Sequence, residues 1–406
     1  MQKTNNTTTL LHLSLMPNIG PASVLKLIRG FYKDFFETHA HPHLSKPTFD
    51  LQQLYHYKTT DFINKFGVSS RIATILVNGL SNKKELDQEL HLIEKYNITT
   101  LNFLDDTYPN SLKEIHHPPL IIYSKGVSIS NDHNKNTKRI AIVGSRKADR
   151  YAKSCIETLV PMLVFHGWEI VSGGAAGVDS MAHHETVTAG GKTIAVFGSG
   201  LMEPYPASNK ELFRSIVKNN GTLVSPFSLR TTPNKGNFPA RNRIISGLSQ
   251  GCIVIQAAEK SGALITAHFA LNQGRQVFAL PGKVTNQLSA GCHKLIQQGA
   301  KLITNVEDIL EEFEITNSTQ PPAKTTTIHE KTVPIKITVK KEENVNKHPL
   351  LKHITAPCAI DELSVKTNMS LLELQDQLFQ LQLEGIIKQN YAGLWERVHV
   401  NTKGKL

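Results

Sequence analysis

Between Arg139 and about Leu310, apolar runs that suit β-strands alternate with segments that suit helices, and this alternation limits the fold more than any other feature. The runs are IAIVG, WEIVSGG, TIAVFGSG, TLVS, CIVIQAA and QVFALPG. Strands that are apolar along their whole length are buried on both faces, as happens when helices cover both sides of a parallel sheet. The pattern therefore predicts an α/β fold built on a parallel sheet.

We place the sheet domain at 96–312 and expect a smaller domain on either side of it in the sequence. Residues 1–95 read as short helices joined by glycine turns, either a SAM-like or helix-hairpin-helix domain that binds phosphate or a plain helical bundle. Residues 313–347 are polar and rich in Thr, Pro and Lys, which predicts a linker. Residues 348–406 show three helical patterns and a hairpin turning at Gly393, the order of a winged helix.

Charge and cysteine usage narrow the class of protein. The 406 residues include 45 Lys and Arg against 34 Asp and Glu, a net charge of +11 that suits a polyanionic partner such as nucleic acid. The winged-helix candidate itself is balanced, with six basic and six acidic residues, so it suits protein contact as well as DNA. The four cysteines form no C-x-x-C pair, and no apolar run approaches the ~20 residues of a membrane helix. We expect a cytoplasmic protein without disulfides and without membrane contact.

Three glycine-rich segments follow three of the predicted strands. They are Gly144-Ser145-Arg146, Ser172-Gly173-Gly174-Ala175-Ala176-Gly177 and Gly198-Ser199-Gly200. Carboxyl ends of parallel strands meet at one edge, where glycines let the main chain approach an anion and helix N-termini offer N–H donors. Together the segments predict a phosphate-binding edge, although any one of them alone equally suits ordinary strand-to-helix packing.

A second candidate segment joins an aromatic ring to two guanidinium groups and an amide. It comprises Phe238, Arg241, Asn242 and Arg243, and a further cation and helix start follow at Lys260-Ser261-Gly262. Arginines that grip phosphates beside a ring that stacks on a base are typical of single-stranded nucleic acid binding. The alternative is that Phe238 lies in the core and the arginines pair with carboxylates.

Signatures of catalysis and of cofactor binding are missing. The glycines lack G-x-G-x-x-G spacing and no strand ends in a ribose-binding acid, so a dinucleotide cofactor is not expected. No Walker sequence, nucleophile–base pair or metal-ligand spacing is present. Asp179 and His183 share one helix face, and we expect them to be structural, with Asp179 orienting or capping the helix start.

The motifs also form a recognisable series. Seven motifs occur in a fixed order: GSR at 144–146, SGGAAGVDSMAH at 172–183, AVFGSGL at 195–201 with YP at 205–206, FPARNRIISGLS at 238–249, AAEKSGALITA at 257–267, FALPG at 278–282 and GCHKLIQQGA at 291–300. Their order, spacing and content closely resemble the DNA-processing protein A (DprA/Smf) family. The resemblance is strong over about 138–312 and weaker towards both ends.

That resemblance implies an extended Rossmann-like domain that binds single-stranded DNA with little sequence preference, needs no cofactor and forms a homodimer. It also implies that the protein protects incoming DNA in natural transformation and loads the RecA recombinase, displacing or acting beside single-strand binding protein. Carried onto this chain, the family's phosphate pocket is Gly144 to Arg146 with Ser172 to Gly177. Phe238 and Arg241 to Arg243 would follow the strand, and Lys260 would close the edge.

Some positions depart from the family pattern, namely Ala176 in place of a cation, Pro226 and Gln256 in place of glutamates, and His293 in place of asparagine.

The rival function is a nucleotide-binding or nucleotide-hydrolysing enzyme on the same sheet, similar to phosphoribohydrolases of the LOG group. Those enzymes need P-G-G-x-G-T, whereas Pro281-Gly282 continues here as KVTNQ. A regulator that senses a mononucleotide stays open from sequence.

Overall fold

A computed structural model describes residues 5–38, 50–129, 137–317, 348–354, 356, 358, 360–367, 369, 374, 377–378, 381, 386–389 and 395–397. The chain divides into two compact units, Met1–Gln320 and Pro321–Leu406. The first contains an N-terminal group of helices and the large sheet, and the second contains short helices and a two-stranded ladder.

The N-terminal helices pack against one end of the sheet. They are α1 (Asn5–Leu15), α2 (Pro21–Thr38), a 3-10 helix (Leu51–His56), α3 (Thr59–Phe66), α4 (Ser70–Ser81) and α5 (Lys84–Lys95). Their apolar faces share a core with Ile121 and Tyr123 of the sheet. Gly67 ends α3 in the left-handed conformation (φ 62°), and its N–H donates to the carbonyl of Ile63 at 3.0 Å. This N–H group of the glycine turn therefore caps the C-terminal end of α3 and is not available to a phosphate.

The sheet is mixed, with a parallel body and an antiparallel edge. The described residues give it nine strands: β1 (Thr99–Asn102), β2 (Ile121–Gly126), β3 (Lys138–Val143), β4 (Trp168–Ser172), β5 (Thr193–Val196), β6 (Thr222–Ser225), β7 (Gly251–Val254), β8 (Gln276–Ala279) and β9 (Lys301–Leu302). Their order is β1-β2-β6-β5-β4-β3-β7-β8-β9. Strand β2 pairs antiparallel with both β1 and β6, and all other neighbouring strands pair in parallel. All six predicted runs are strands of the parallel body, so the α/β prediction is confirmed.

Helices cover both faces of this sheet, as the apolar strands required. They are α6 (Asn110–Lys113), α7 (Arg150–Phe165), α8 (Val178–Thr188), α9 (Lys210–Lys218), α10 (Asn237–Gly247), α11 (Gly262–Asn272), α12 (Ala290–Gln297) and α13 (Glu307–Asn317). Alternate residues of β3 enter separate cores: Ile140 packs with Ile156 of α7 on one face, and Val143 packs with Ile244 of α10 on the other. The period of two along the strand therefore explains the two layers.

The strand order reverses direction between β3 and β7. From β3 the chain steps outward through β4, β5 and β6, and it then returns to the other side of β3 to add β7, β8 and β9. The loops after β3 and β7 therefore leave the same edge in opposite directions and open a crevice between them. Ligands of open α/β sheets bind in such crevices.

The end of the sheet domain differs from the prediction. Helix α13 continues through residues 313–317, which the sequence assigned to the linker. The reason is Phe313, whose ring packs against Trp168 and Phe278 with centroids 4.7 Å and 5.9 Å apart. The remainder of the predicted linker lies outside the described residues.

In the second unit, a 3-10 helix (Pro349–His353) and α14 (Ile360–Thr367) precede an antiparallel pair, β10 (Ile387–Gln389) and β11 (Trp395–Arg397). Leu350, Leu363 and Leu378 belong to its core. The predicted turn at Gly393 lies outside the described residues, and the winged helix stays a prediction. Among the helices that the structure describes, none is both long enough and apolar enough to cross a membrane.

Candidate nucleic-acid interface

A groove of about 680 Å³ opens at the reversal of strand order. Gly144 to Lys147 from the loop after β3 form one wall, and Ser261 and Gly262 at the start of α11 form part of the other. Phe238 of α10 and Tyr205 lie along it as well. Segments far apart in the chain therefore meet at the edge that the sequence predicted for phosphate binding.

Two aromatic rings and a guanidinium group lie against one another in the groove. The Cζ atom of Arg146 lies 5.4 Å from the ring centroid of Phe238, and the ring of Tyr205 lies 5.6 Å from the same centroid at an interplanar angle of 49°. Gly198 lies against the ring of Phe238, because a Cβ there would come within 2.6 Å of the ring atom Cδ1. The third glycine segment thus makes room for the aromatic side chain.

Three exposed cations line the groove, and they come from two loops. Arg146, Lys147 and Lys235 are exposed and line it. Three of the lining residues, Lys147, Lys235 and Tyr205, were not among the predicted site residues, because each stands outside the glycine-rich and Arg-rich motifs. Only the YP dipeptide at 205–206, which belongs to the family pattern, could have indicated one of them.

In the glycine loop after β4, two of the main-chain donors point inward and not to a phosphate, which differs from the prediction. The N–H groups of Gly173 and Ala175 donate to Oδ2 of Asp179 at 3.2 Å and 3.3 Å. Asp179 thus occupies the place of the expected phosphate, orienting the loop from the first turn of α8. Gly177 has a φ of 82°, which favours glycine at that position.

Ser172 and Gly174 of the same loop also have internal roles. The hydroxyl of Ser172 is buried and donates to the carbonyl of Ile142 at 2.6 Å. The carbonyl of Gly174 accepts from Nδ2 of Asn209 at 3.0 Å. The Ser172 hydroxyl therefore donates inside the protein and not to a ligand in the groove.

Arg241 lines the floor of the groove, as predicted, but its guanidinium is buried there and has hydrogen-bond partners within the protein. It is 4% exposed and donates through Nη1 to the carbonyls of Gly173, at 2.6 Å, and Val196. Its Nε donates to Oδ1 of Asn242 at 3.2 Å. Burial lowers the pKa of Arg241 to about 10, which the charge of Asp179 opposes. The hydrogen bonds of Arg241 thus go to main-chain carbonyls and an amide, which is neither the exposed strand contact nor the pairing with a carboxylate that the sequence suggested.

Arg243 lies on the other side of α10. Its Nη1 donates to the carbonyl of His117, and burial lowers its pKa. Residues two apart on a helix point in different directions, so Arg241 and Arg243 cannot share one face. The structure does not bring Arg243 to the groove, contrary to the prediction.

Asn242, Ser261 and Gly262 join α10 to α11 at the groove. Nδ2 of Asn242 donates to the carbonyl of Gly262 at 3.4 Å, and Ser261 caps α11 by accepting from the N–H of Ala263 at 3.3 Å. Lys260 is exposed next to this helix start but does not line the groove.

His183 is fully buried, one turn after Asp179. Its Nδ1 lies 2.7 Å from the hydroxyl of Thr193, which itself donates to the carbonyl of Ile170, so Nδ1 carries the proton and donates. Within the part of the chain that the structure describes, Nε2 has no hydrogen-bond partner. Burial, reinforced by the charge of Arg241, lowers the pKa of His183 to about 3.

Gln256, one of the departures from the family pattern, holds the loop that carries Arg146. Its main-chain carbonyl accepts from the N–H of Ser145 at 2.7 Å. Its side chain donates through Nε2 to Oδ2 of Asp149 at 2.9 Å and accepts through Oε1 from the N–H of Asp149 at 3.3 Å. A glutamate at 256 could not donate to Asp149, so the amide matches this neighbour.

The family described as DNA recombination-mediator protein A matches residues 99–314, more than half of the chain. The chain belongs to this family. The resemblance drawn from the motifs is thereby confirmed. Among the described residues, no group of three or more His, Cys, Asp or Glu is arranged to hold a metal ion.

Sequence relatives of this family member include two well-matched bacterial proteins. DNA processing protein DprA of Bacillus subtilis is 42% identical over 229 residues, which are 56% of this chain and 76% of the relative. Protein Smf of Escherichia coli is 39% identical over 232 residues, 57% of this chain and 61% of the relative. The X-ray structure of DNA processing protein A from Streptococcus pneumoniae matches with a TM-score of 0.61 and 33% identity, covering 77% of this chain and 99% of that one.

Proposed function

We propose that this family member binds single-stranded DNA in the groove between β3 and β7, with little sequence preference, as a DNA-processing protein of natural transformation. The observation that carries the proposal is the guanidinium of Arg146 over the ring of Phe238, at the crevice where the strand order reverses. We further propose that it acts by binding and not by catalysis.

The groove combines two kinds of contact that a single strand needs. Arg146, Lys147 and Lys235 are cations for successive phosphates, while Phe238 and Tyr205 offer ring faces on which bases can stack. In a duplex the base faces are already stacked on each other, so the rings would favour a single strand. Every base has such a face, so this mode of binding tolerates any sequence.

The predicted site residues that are buried hold the main chain around the groove in place. Arg241 and Asp179 brace the main chain of Gly173, and Asn242 ties α10 to the start of α11. Lys260 remains a candidate for phosphates that leave the groove beside α11, because its side chain is exposed there.

Partners follow from the family and not from the geometry. We propose a homodimer that protects incoming DNA in the cytoplasm and loads RecA beside single-strand binding protein. Light scattering of the purified chain tests the dimer. RecA filament assembly on strands coated with single-strand binding protein, with and without this protein, tests the loading. An unchanged assembly rate would contradict it.

The experiment for the groove is fluorescence anisotropy with labelled single-stranded and duplex oligonucleotides, titrated with salt. We expect tight, salt-sensitive binding that prefers single strands and strengthens with their length. Equal binding to both forms would contradict the proposal. Saturable binding of a mononucleotide with no gain from length would favour the nucleotide-sensing alternative instead.

A further inference from the structure

A second cleft lies at the same edge of the sheet, between the loop after β3 and the loop after β8. Its volume is about 560 Å³, and it is lined by Asp149, Tyr151, Pro281, Gly282, Lys283 and Asn286. We propose that this cleft is a second subsite for the same DNA strand, which enters it after leaving the Phe238 groove. The inference rests on the proposed function of that groove.

The groove and the cleft are separated by two loops that line both of them, the loop after β3 and the loop after β8. In the loop after β3, Arg146 and Lys147 line the groove while Asp149 lines the cleft. In the loop after β8, Leu288 lines the groove while Asn286 lines the cleft. Nδ2 of Asn286 donates to Oδ2 of Asp149 at 3.1 Å and so joins these two walls into one ridge. A strand that passes over the ridge from the groove enters the cleft next.

The rim of the cleft offers contacts of the same kind as the groove. Lys283 lines the cleft and is an exposed cation, and Arg150, which stands in the chain between the lining residues Asp149 and Tyr151, is exposed as well. The ring of Tyr151 is 40% exposed, and its hydroxyl donates to the carbonyl of Pro281 across the cleft. That hydrogen bond fixes the ring, so a base can stack on it without first ordering the side chain.

Asp149 determines which part of a nucleotide faces the inner wall. Its carboxylate accepts from Gln256 at 2.9 Å, from Asn286 at 3.1 Å and from the N–H of Ala152 at 3.1 Å. These donors lower its pKa, the hydrogen bond from Gln256 most of all, so it stays charged. A phosphate would be repelled from this wall and held instead at Lys283, which leaves the base to face Tyr151 and Asp149.

The test compares short and long oligothymidylates on the full chain, of about 6 and about 16 nucleotides. We expect Lys283→Glu and Tyr151→Ala each to weaken binding of the long strand about tenfold and to leave the short strand unchanged. Tyr151→Phe keeps the ring but loses the hydrogen bond that fixes it, so its long-strand affinity should lie between that of the unchanged protein and that of Tyr151→Ala. Lys218→Glu makes the same charge change at the C-terminal end of α9, before β6 and thus at the opposite edge of the sheet, and should have little effect.

The outcomes separate this inference from the proposed function. Arg146→Ala should weaken both lengths, because it acts in the groove, and an unchanged short-strand affinity in that variant would overturn the groove itself. If Arg146→Ala weakens binding but neither cleft variant changes the long-strand affinity, the groove stands and the second subsite is wrong. Equal losses at both lengths in Lys283→Glu would also overturn the inference, since they would reflect overall charge and not a distal contact.

Discussion

Two arginines that the sequence grouped in one site have opposite environments. Arg146 is exposed and stacked on Phe238 at the groove, whereas Arg241 is buried and committed to main-chain carbonyls. Loss of an exposed cation removes an interaction with a ligand, while loss of a buried one leaves its partners unpaired. Substitutions at the two positions should therefore affect different measurable quantities.

Arg146→Ala should weaken single-strand binding uniformly across sequences, because a phosphate contact carries no sequence information. The slope of log affinity against log salt should fall by about 0.7 for the lost contact. Anisotropy titrations at several salt concentrations measure both, with Lys218→Ala as a matched control remote from the groove. An unchanged affinity in Arg146→Ala would contradict the assignment of the groove.

Arg241→Met should lower the free energy of unfolding by about 3–5 kcal/mol, because it leaves Asp179 as a buried carboxylate without its cationic neighbour. Urea unfolding measures the loss, and Arg146→Met provides the exposed counterpart, for which a change within about 0.5 kcal/mol is expected. Comparable losses in the two variants would show that Arg241 is not the structural residue that its burial indicates.

His183 should make stability fall in acid. Its pKa is about 3 in the folded chain, below the ordinary value of 6.5, so the unfolded chain binds a proton that the folded one does not. The stabilisation is present above about pH 6.5 and is lost as the pH falls from there towards 3, by at most about 1.4 kcal/mol per pH unit. In urea unfolding at several pH values, His183→Phe should show a slope shallower by that amount. Parallel slopes would contradict the prediction.

At the scale of the element, α10 determines which side chains reach the groove. The segment is helical from Asn237 to Gly247, so the groove is lined by the helix face that carries Phe238, Arg241, Asn242 and Ile245. Arg243 turns away from it. The sequence analysis treated the motif as a continuous row of contacts. The helical period divides that row between the groove and the packing against His117.

Arg243→Ala should therefore leave DNA affinity unchanged and lower stability by about 1.5–3 kcal/mol, the range for a hydrogen bond from a charged group. Anisotropy and urea unfolding of the same preparation separate the two effects. Weaker DNA binding without loss of stability would show that Arg243 contacts the strand after all.

At the scale of the whole molecule, the candidate site belongs to the first unit alone. Both walls of the groove and the rings beside it lie within Met1–Gln320. The C-terminal residues 348–406 carry equal numbers of basic and acidic residues and so add no net attraction for a polyanion.

Deletion of 348–406 should accordingly leave most of the affinity for single strands intact. Anisotropy of the truncated and full-length proteins at matched salt measures the difference, which we expect to be less than about threefold, or ~0.7 kcal/mol. A loss of tenfold or more would identify the C-terminal part as a primary DNA site.

The sequence by itself determined the parallel body of the sheet, the edge at which a ligand site would form, and the family. Those features depend on local properties, namely apolar runs with a strand period and glycines that follow them. Tertiary structure alone decided that Tyr205 and Lys235 join Arg146 and Phe238, because residues far apart in the chain meet only when the strand order reverses. It also decided that Asp179 takes up the N–H groups of the glycine loop and that Arg241 is buried. Burial and hydrogen-bond partners are properties of the packed chain, and no local pattern of residue types contains them.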